Sequence, residues 1–388
     1  MASRNQCRRC KNIDAPYDLR NDPTCRDCFV DYVETKGGRR LGAIARDTRT
    51  PGRPGPRRYL AGLSFGPSST AMMQILDRSA RFHSSKKSSP AFEPLAVHID
   101  ADLSHTPDES DTPARRLLSR HRQRFPNVSF ECLHLSRIWT VKTIDWSSLS
   151  SVALHDPSIS DPVERLRRFF EKLPSVSSRV DVLRLFVRHL LLHVAFERSY
   201  TAVLFGHTTT ALAALTLTEV ANGRGYAVSS LVNDGLYAVR THGSATSSSH
   251  TEGLTEAQMP IYYPLREVFK NELTTYINLV PSLKELVPEP ESSAGRVVSH
   301  KDLSIAEVVG RYFDDVEAPY SGIVANVVRT TGKLDRGAGQ GFCHMCGMAL
   351  DERGDALWAG ELGDDGLGAL DHNQPAGLCY GCKRTASG

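Results

Sequence analysis

Eight of the nine cysteines fall into four Cys-x-x-Cys pairs, two near each end of the chain: Cys7/Cys10 and Cys25/Cys28, then Cys343/Cys346 and Cys379/Cys382. Two thiols separated by two residues can face one metal ion from one tight turn, and two such turns complete a tetrahedral set without a hydrophobic core of their own. The first four read Cys-x2-Cys-x14-Cys-x2-Cys, a spacing suited to structural zinc. The last four leave 32 residues between the pairs, an interval that holds the Gly-rich GELGDDGLG and leaves room for His344 or His372 as a substitute ligand. Four sulfurs leave no open coordination position, so both zinc sites are expected to staple structure rather than to catalyse. Spacing alone leaves open whether the pairs close within each terminus or across the two.

Between these ends, 388 residues suffice for two or three folding units, one of them large enough for a substantial core. No stretch approaches the roughly 18 to 20 consecutive apolar residues of a membrane helix, and the opening MASRNQCRRCK lacks the apolar run of a secretory signal. A cytoplasmic protein without membrane contact is expected. In that reducing compartment the paired cysteines bind metal rather than one another.

The net charge of +3 conceals two opposite ends. Residues 36–58 hold eight basic residues and the single acid Asp47, whereas residues 341–388 hold three basic and seven acidic ones. Cations at that density, spaced by Gly and Pro, would release counterions on meeting phosphates and bind nucleic acid with a strong salt dependence. A solvated linker has the same composition.

The middle alternates strand and helix patterns. Residues 57–64, 92–100, 128–135 and 200–207 read as strands, with a further strand candidate at 227–234; residues 68–82, 114–125, 179–199 and 209–223 read as helices, the last closed by Gly223. This β-α-β-α order predicts an α/β fold, a Rossmann-like parallel sheet with helices on both faces. Segments 83–90, 101–113, 147–160, 241–253 and 288–295 interrupt it with Ser-, Pro- and acid-rich composition and read as surface insertions. The expected organisation is a zinc module over 1–35, a basic arm over 36–56, the α/β domain over 57–335 and a zinc ribbon over 341–388. On helix 179–199 the apolar stripe is broader than one face, which suits core burial alone or core burial with a partner surface beside it. Cys132, alternating with Phe130 and His134, reads as a small buried hydrophobe.

The turn after the first strand of the middle region, SFGPSST, carries Ser64, Gly66, Ser68 and Ser69 where a doubly wound sheet presents a helix N-terminus to an anion. A plain N-capped helix would carry the same residues. Together with FGHTTTALAALTL, YYPLREVFKNEL and the cysteine pairs at both ends, this turn resembles the PP-loop ATP pyrophosphatases that thiolate tRNA, and within them the cytoplasmic tRNA 2-thiolation protein 2 family, the second subunit of the eukaryotic wobble-uridine thiolase. The resemblance covers nearly the whole chain apart from the insertions.

Departures from the active enzymes are as informative as the matches. Against their Ser-Gly-Gly-x-Asp-Ser loop, Ser64, Gly66 and Ser69 match, but Phe65 adds bulk and Ser68 stands in place of the aspartate. Their Gly-His-Asn-x-Asp-Asp segment aligns with Gly206 to Ala211, where both acids are missing, although His207 remains beside the cleft. No cysteine occurs between Cys132 and Cys343, and residues 179–188 occupy the place of their central Cys-x-x-Cys. The resemblance therefore implies a degenerate nucleotide loop and a non-catalytic subunit that helps bind tRNA for 2-thiolation of the wobble uridine of Lys, Glu and Gln tRNAs. A catalytic partner subunit of the same superfamily would hold ATP and the iron–sulfur cluster, with sulfur arriving from a ubiquitin-like carrier. Arg39, Arg40, Arg53, Arg57 and Arg58 are the candidate phosphate contacts. Two rival readings are an active adenylating thiolase using Ser64, Gly66 and Ser69, and a zinc-dependent protein scaffold without RNA contact.

Overall fold

A computed structural model describes residues 6–11, 14–49, 55–86, 92–150, 156–242, 254–289, 303–335, 341–350 and 377–387. The chain opens on a hairpin of β1 (Tyr17–Leu19) and β2 (Asp22–Thr24), paired antiparallel across Arg20 and Asn21. Both turn residues have positive φ, 58° and 69°, the left-handed pair that a two-residue hairpin turn requires. Helix α1 (Arg26–Asp47) follows, then β3 (Arg57–Gly62), α2 (Pro67–Lys86), β4 (Phe92–Asp100), α3 (Pro113–Arg124) and β5 (Ser129–His134). A 3-10 turn at Leu135–Thr140 leads through α4 (Trp146–Ser150) and α5 (Pro162–Lys172) to α6 (Val176–Glu197), β6 (Ala202–Leu204) and α7 (Thr209–Ala221). The remainder is α8 (Val228–Val232), β7 (Gly235–His242), β8 (Leu254–Tyr262), α9 (Lys270–Leu279), α10 (Pro281–Lys284), α11 (Ile305–Thr331) and α12 (Tyr380–Ser387).

The sheet runs β5-β4-β3-β6-β8-β7. Its first five strands are mutually parallel and β7 returns antiparallel to β8 at the edge. Alternation along β3 sends Tyr59 and Ala61 to a layer with Met72, Ile75 and Phe29, and Leu60 to a layer with Phe186, Val203 and Leu212. Helices α1, α2 and α9 therefore cover one face, and α6, α7 and α11 the other. The α/β expectation holds.

Three expectations need correction. Residues 227–234, read as a strand, form α8, because Val228, Leu231 and Val232 are buried at helical rather than alternating spacing. The true neighbours in the sheet are β7 and β8, and β7 takes in Thr241 and His242 at the start of the stretch read as an insertion. Residues 36–47 are helical, so the boundary at 35/36 falls inside α1. Phe29, Val33, Gly37, Leu41 and Ile44 make its buried stripe, and a Cβ on Gly37 would lie 2.5 Å from Cδ1 of Ile75. Gly37, one of the glycines that suggested a loose linker, instead lets α1 settle against α2. The 101–113 segment is ordered by side chains: Asp102 accepts the N–H and hydroxyl of Ser104, and Thr112 caps α3. Residues 87–90, 151–155, 243–253 and 290–295 of the expected insertions lie outside the described residues.

The two termini attach differently. Cys7, Ala15 and Cys25 form a small cluster of their own, whereas Cys343, Met345, Cys346, Met348, Cys379 and Cys382 belong to the main core with α6 and α7. Helix α11 kinks at Tyr320, after Pro319 interrupts its ladder, and its buried Glu317 accepts the backbone N–H of Asn271 at 2.7 Å at the start of α9. No described helix is long and apolar enough to cross a membrane.

Candidate functional site

The loop between β3 and α2 is organised by its own hydroxyls. Ser69 Oγ accepts the N–H of Ser64 at 3.2 Å, lies 3.1 Å from Ser64 Oγ, and donates to the carbonyl of Gly66 at 3.1 Å. Phe65 takes φ +60°, a conformation that favours glycine. Its ring turns away from the loop into the helical layer, with ring centres 4.2 Å from His98 and 5.1 Å from His121. The expected obstruction by Phe65 is thus corrected: the backbone follows a glycine-like path and the bulk is buried behind it. Close approach is needed instead at Gly206, where a Cβ would meet the backbone of Ser68 and Ser69 at 3.2 Å.

A cavity of about 460 Å³ opens at the C-terminal ends of β3, β4 and β6. Ser64, Ser68 and Ser69 form its loop wall; Leu63, Val97, Ile99, Leu191, Phe205 and Leu215 supply apolar walls; His98, Arg184, Arg188, His207 and Tyr263 complete it. Among the described residues no Asp, Glu or Cys lines it. Burial, reinforced by Arg188 and Arg184, pushes His207 down to about 4, so its imidazole is neutral near pH 7. Arg184 is held by Asp181 at 2.9 Å and by Glu219. Arg188 is 9% exposed and packs over Tyr237 and Phe205, 4.7 and 5.5 Å from their ring centres. The sequence reading placed Arg188 only on a broad apolar stripe; the signal for more was a permanent cation at a position that helical periodicity buries.

The cysteines close within each terminus. The Sγ atoms of Cys7, Cys10, Cys25 and Cys28 lie within 4.8 Å of one another, as do those of Cys343, Cys346, Cys379 and Cys382. Tetrahedral zinc with bonds of about 2.3 Å places its sulfurs about 3.8 Å apart. Cys10 and Cys25 stand at 3.5 Å and Cys346 and Cys379 at 3.8 Å, so both donor sets fit such an ion. In the first set, backbone N–H groups of Cys10 and Cys25 lower the Cys7 thiol to about 6. In the second, Gly347 (φ +69°) closes the knuckle, with its N–H donating to the carbonyl of Cys343 at 2.9 Å. His344 is not in this set: its Nδ1 lies 3.4 Å from Asp145. His372 falls outside the described residues.

The structure does not bring the five candidate arginines into one patch. Arg39 is exposed on α1, and Arg40 beside it pairs with Asp234, which also holds Arg266 at 3.1 Å near the C-terminal end of β8. Arg57 and Arg58 open β3 at the opposite end of the sheet, where Arg58 donates to the carbonyl of Arg198 at 2.6 Å and stacks on Tyr200. Arg53 lies outside the described residues. Cys132 is half-buried beside Asp100 and Arg115, and burial raises its thiol.

Several known proteins are similar to this chain. A protein from Pyrenophora tritici-repentis named cytoplasmic tRNA 2-thiolation protein 2 is 32% identical over 99% of this chain and 95% of its own length. Its namesake from Phaeosphaeria nodorum is 31% identical over the same shares. Among solved structures, the U34-tRNA thiolase NcsA from Methanococcus maripaludis, determined with its iron–sulfur cluster, superposes with a TM-score of 0.54 at 14% identity, covering 90% of this chain and 93% of that one, a likeness of fold alone. A family model described as cytoplasmic tRNA 2-thiolation protein 2 matches residues 304–363, which include α11 and the knuckle of Cys343 and Cys346. Full-length similarity at this level places the chain in the cytoplasmic tRNA 2-thiolation protein 2 family.

Proposed function

We propose that this chain is the non-catalytic, tRNA-binding subunit of a two-subunit enzyme that 2-thiolates the wobble uridine of Lys, Glu and Gln tRNAs in the cytoplasm. The observation that carries the reading is the lining of the cleft: a PP-loop architecture whose described lining has no carboxylate to hold magnesium and no thiol to carry sulfur. Ser64, Gly66, Ser68 and Ser69 are in this reading the remnant of a nucleotide loop. A partner of the same superfamily would hold ATP and the iron–sulfur cluster and receive sulfur from a ubiquitin-like carrier. The two cysteine sets would hold one structural zinc ion each, and Arg39, Arg40, Arg53 and Arg57 would contribute phosphate contacts as separate points rather than as one continuous arm, Arg58 being engaged by the carbonyl of Arg198 and the ring of Tyr200.

The test compares the purified chain with the chain joined to its thiolase partner, each given tRNA, ATP and a sulfur donor, with 2-thiouridine measured by mass spectrometry of digested RNA. The expected product forms only in the complex, and thiolation by the lone chain would sink the reading. Charge reversal at Arg39 and Arg53 within the complex separates a tRNA-binding subunit, whose affinity falls, from a scaffold, whose affinity is unchanged.

A further inference from the structure

We propose that α1 and the loop leading into α9 form a track for the sugar-phosphate backbone of RNA, with Arg9, Arg20, Lys36, Arg39, Arg40 and Arg266 as its phosphate contacts. The proposal rests on the tRNA-binding reading above and gives that reading a surface. Arg9, Arg20 and Arg266 stand outside the basic arm at residues 36–58, and only the fold brings them to it.

Contacts run unbroken along the track. Tyr32, buried on α1, gathers Arg9 of the first knuckle, Arg20 of the β1–β2 turn and Lys36 at 4.8, 5.6 and 5.3 Å from its ring centre. Arg20 donates to the carbonyl of Glu267 at 3.0 Å, and Lys36 lies 3.8 Å from the carboxylate of the same residue. The neighbouring Arg266 shares Asp234 with Arg40. On α1 itself Tyr32, Lys36 and Arg40 recur at every fourth residue with exposed Arg39 beside them, so one face of the helix presents cations at successive turns.

Positive charge is in excess there. The six cations meet three acids, Asp234, Glu267 and Glu272, the last holding Arg20 at 2.6 Å. Arg46 and Asp47, further along α1, cancel one another and leave the excess as it is. Burial, with Arg20 and Arg39 adding to it, holds Lys36 below its usual value, and burial with Arg266 does the same for Arg40. Cations crowded in this way gain from an approaching anion. The acids meanwhile fix Arg20, Lys36, Arg40 and Arg266 in place before that anion arrives, which lowers the cost of ordering them on binding. A nucleic acid backbone carries its charges at a regular repeat, which a cation at successive helical turns can follow, whereas the carboxylates of an acidic protein surface have no such repeat. Since Tyr32 is buried beneath its cations, the track meets phosphates rather than stacking bases, and its affinity is tolerant of sequence.

The complex with the thiolase partner is assembled from full-length chains, and its affinity for tRNA is measured by filter binding at several salt concentrations. Arg9→Gln, Lys36→Gln and Arg39→Gln combined should weaken binding at least about tenfold and reduce the slope of log affinity against log salt by about 2 to 3, alike for tRNAs of different sequence. Arg81→Gln, Arg116→Gln and Arg120→Gln combined remove the same charge from exposed positions on α2 and α3, and should change the slope by less than about 1. Should the first variant fail to fold by circular dichroism, Arg9→Gln and Arg39→Gln, both at exposed positions, are measured singly, and each should lower the slope by about 1. An unchanged slope in the track variants, or an equal fall in the α2–α3 variant, would overturn the track and leave the tRNA reading intact. Loss of assembly with the partner at an unchanged slope would overturn it in favour of an acidic protein surface. A complex that binds tRNA no more tightly than the partner thiolase alone would remove the tRNA reading itself, and the track with it.

Discussion

His189 Nε2 donates to the carbonyl of Met345 at 3.0 Å, joining residues 156 positions apart. A carbonyl only accepts, so Nε2 carries the proton and Nδ1 accepts from the hydroxyl of Thr143 at 2.7 Å. The loop between Cys343 and Cys346 is thereby bonded directly into α6. Among the described residues the N-terminal set clusters with Ala15, and its first knuckle meets the core only at the rim, where Arg9 lies over the ring of Tyr32 at 4.8 Å. Cys346→Ser is accordingly expected to lower the thermal midpoint of the whole α/β core by at least about 4 °C, a shift of the size that 1 to 2 kcal/mol produces in a domain this large. Cys28→Ser is expected to lower it by less than half as much. Circular dichroism melts with zinc content measured alongside check this, and equal losses would contradict it.

A second prediction concerns Arg224. Its side chain is 1% exposed and pairs with Asp181 and Glu219, themselves 3% and 0% exposed. Thr385 of α12 donates to the same Asp181 at 3.1 Å, so the group fastens the C-terminal helix to α6 and α7. Arg224→Met leaves two carboxylates buried with less compensation, and a loss of about 3–5 kcal/mol in urea unfolding is expected. Arg184 meets the same two acids from a side chain 29% exposed, so Arg184→Met should cost distinctly less. The reverse ranking would show that the charge is not centred on Arg224.

What was legible from residues alone follows from which signals are local. β4 and the buried face of α2 were readable because apolar runs and helical spacing coincide with the elements themselves, and the cysteine sets because their spacing encodes their geometry. Residues 36–47 were misread because glycine signals freedom in isolation, whereas Gly37 serves contact with Ile75, a residue met only in three dimensions. Strand β8 went unseen since its pairing with β6 and β7 depends on partners far away in sequence. Phe65 looked like an obstruction because a sequence gives the volume of a side chain and not its direction. Arg188 stayed hidden for a related reason: burial could be foreseen, but not that the cation would line a cavity beside Tyr237.

The separation of the candidate arginines gives a third prediction. Arg39 is solvent-exposed and available to a phosphate, so Arg39→Ala should weaken tRNA binding by the assembled enzyme uniformly across sequences and reduce the slope of log affinity against log salt by about 1. Arg58 spends its donors on the carbonyl of Arg198 and its face on Tyr200. Arg58→Ala should instead lower the melting temperature and leave the salt slope unchanged. Filter binding at several salt concentrations, with melts of each variant, distinguishes the two roles; a smaller salt slope in Arg58→Ala would return that residue to the tRNA surface.

Acid sensitivity is the fourth. Burial lowers His98 against the opposing pull of the Leu63 carbonyl, lowers His121 against that of Leu117, and brings His207 down to about 4 with the help of Arg188 and Arg184. Each imidazole is harder to protonate in the folded chain than in the unfolded one, where its ordinary value is about 6.5. Below that pH the unfolded chain binds more protons, so the stability these groups contribute is fully present above pH 6.5 and is lost as the pH falls toward the folded values. Urea unfolding should therefore give a smaller free energy at pH 5.5 than at pH 7.5, before the carboxylates begin to titrate. His207→Gln, which keeps a polar group of similar size in the cavity wall, should flatten that dependence whatever it does to stability at pH 7.5. A wild-type profile flat across this window, or an unchanged slope in His207→Gln, would mean that these imidazoles are not held neutral by the fold.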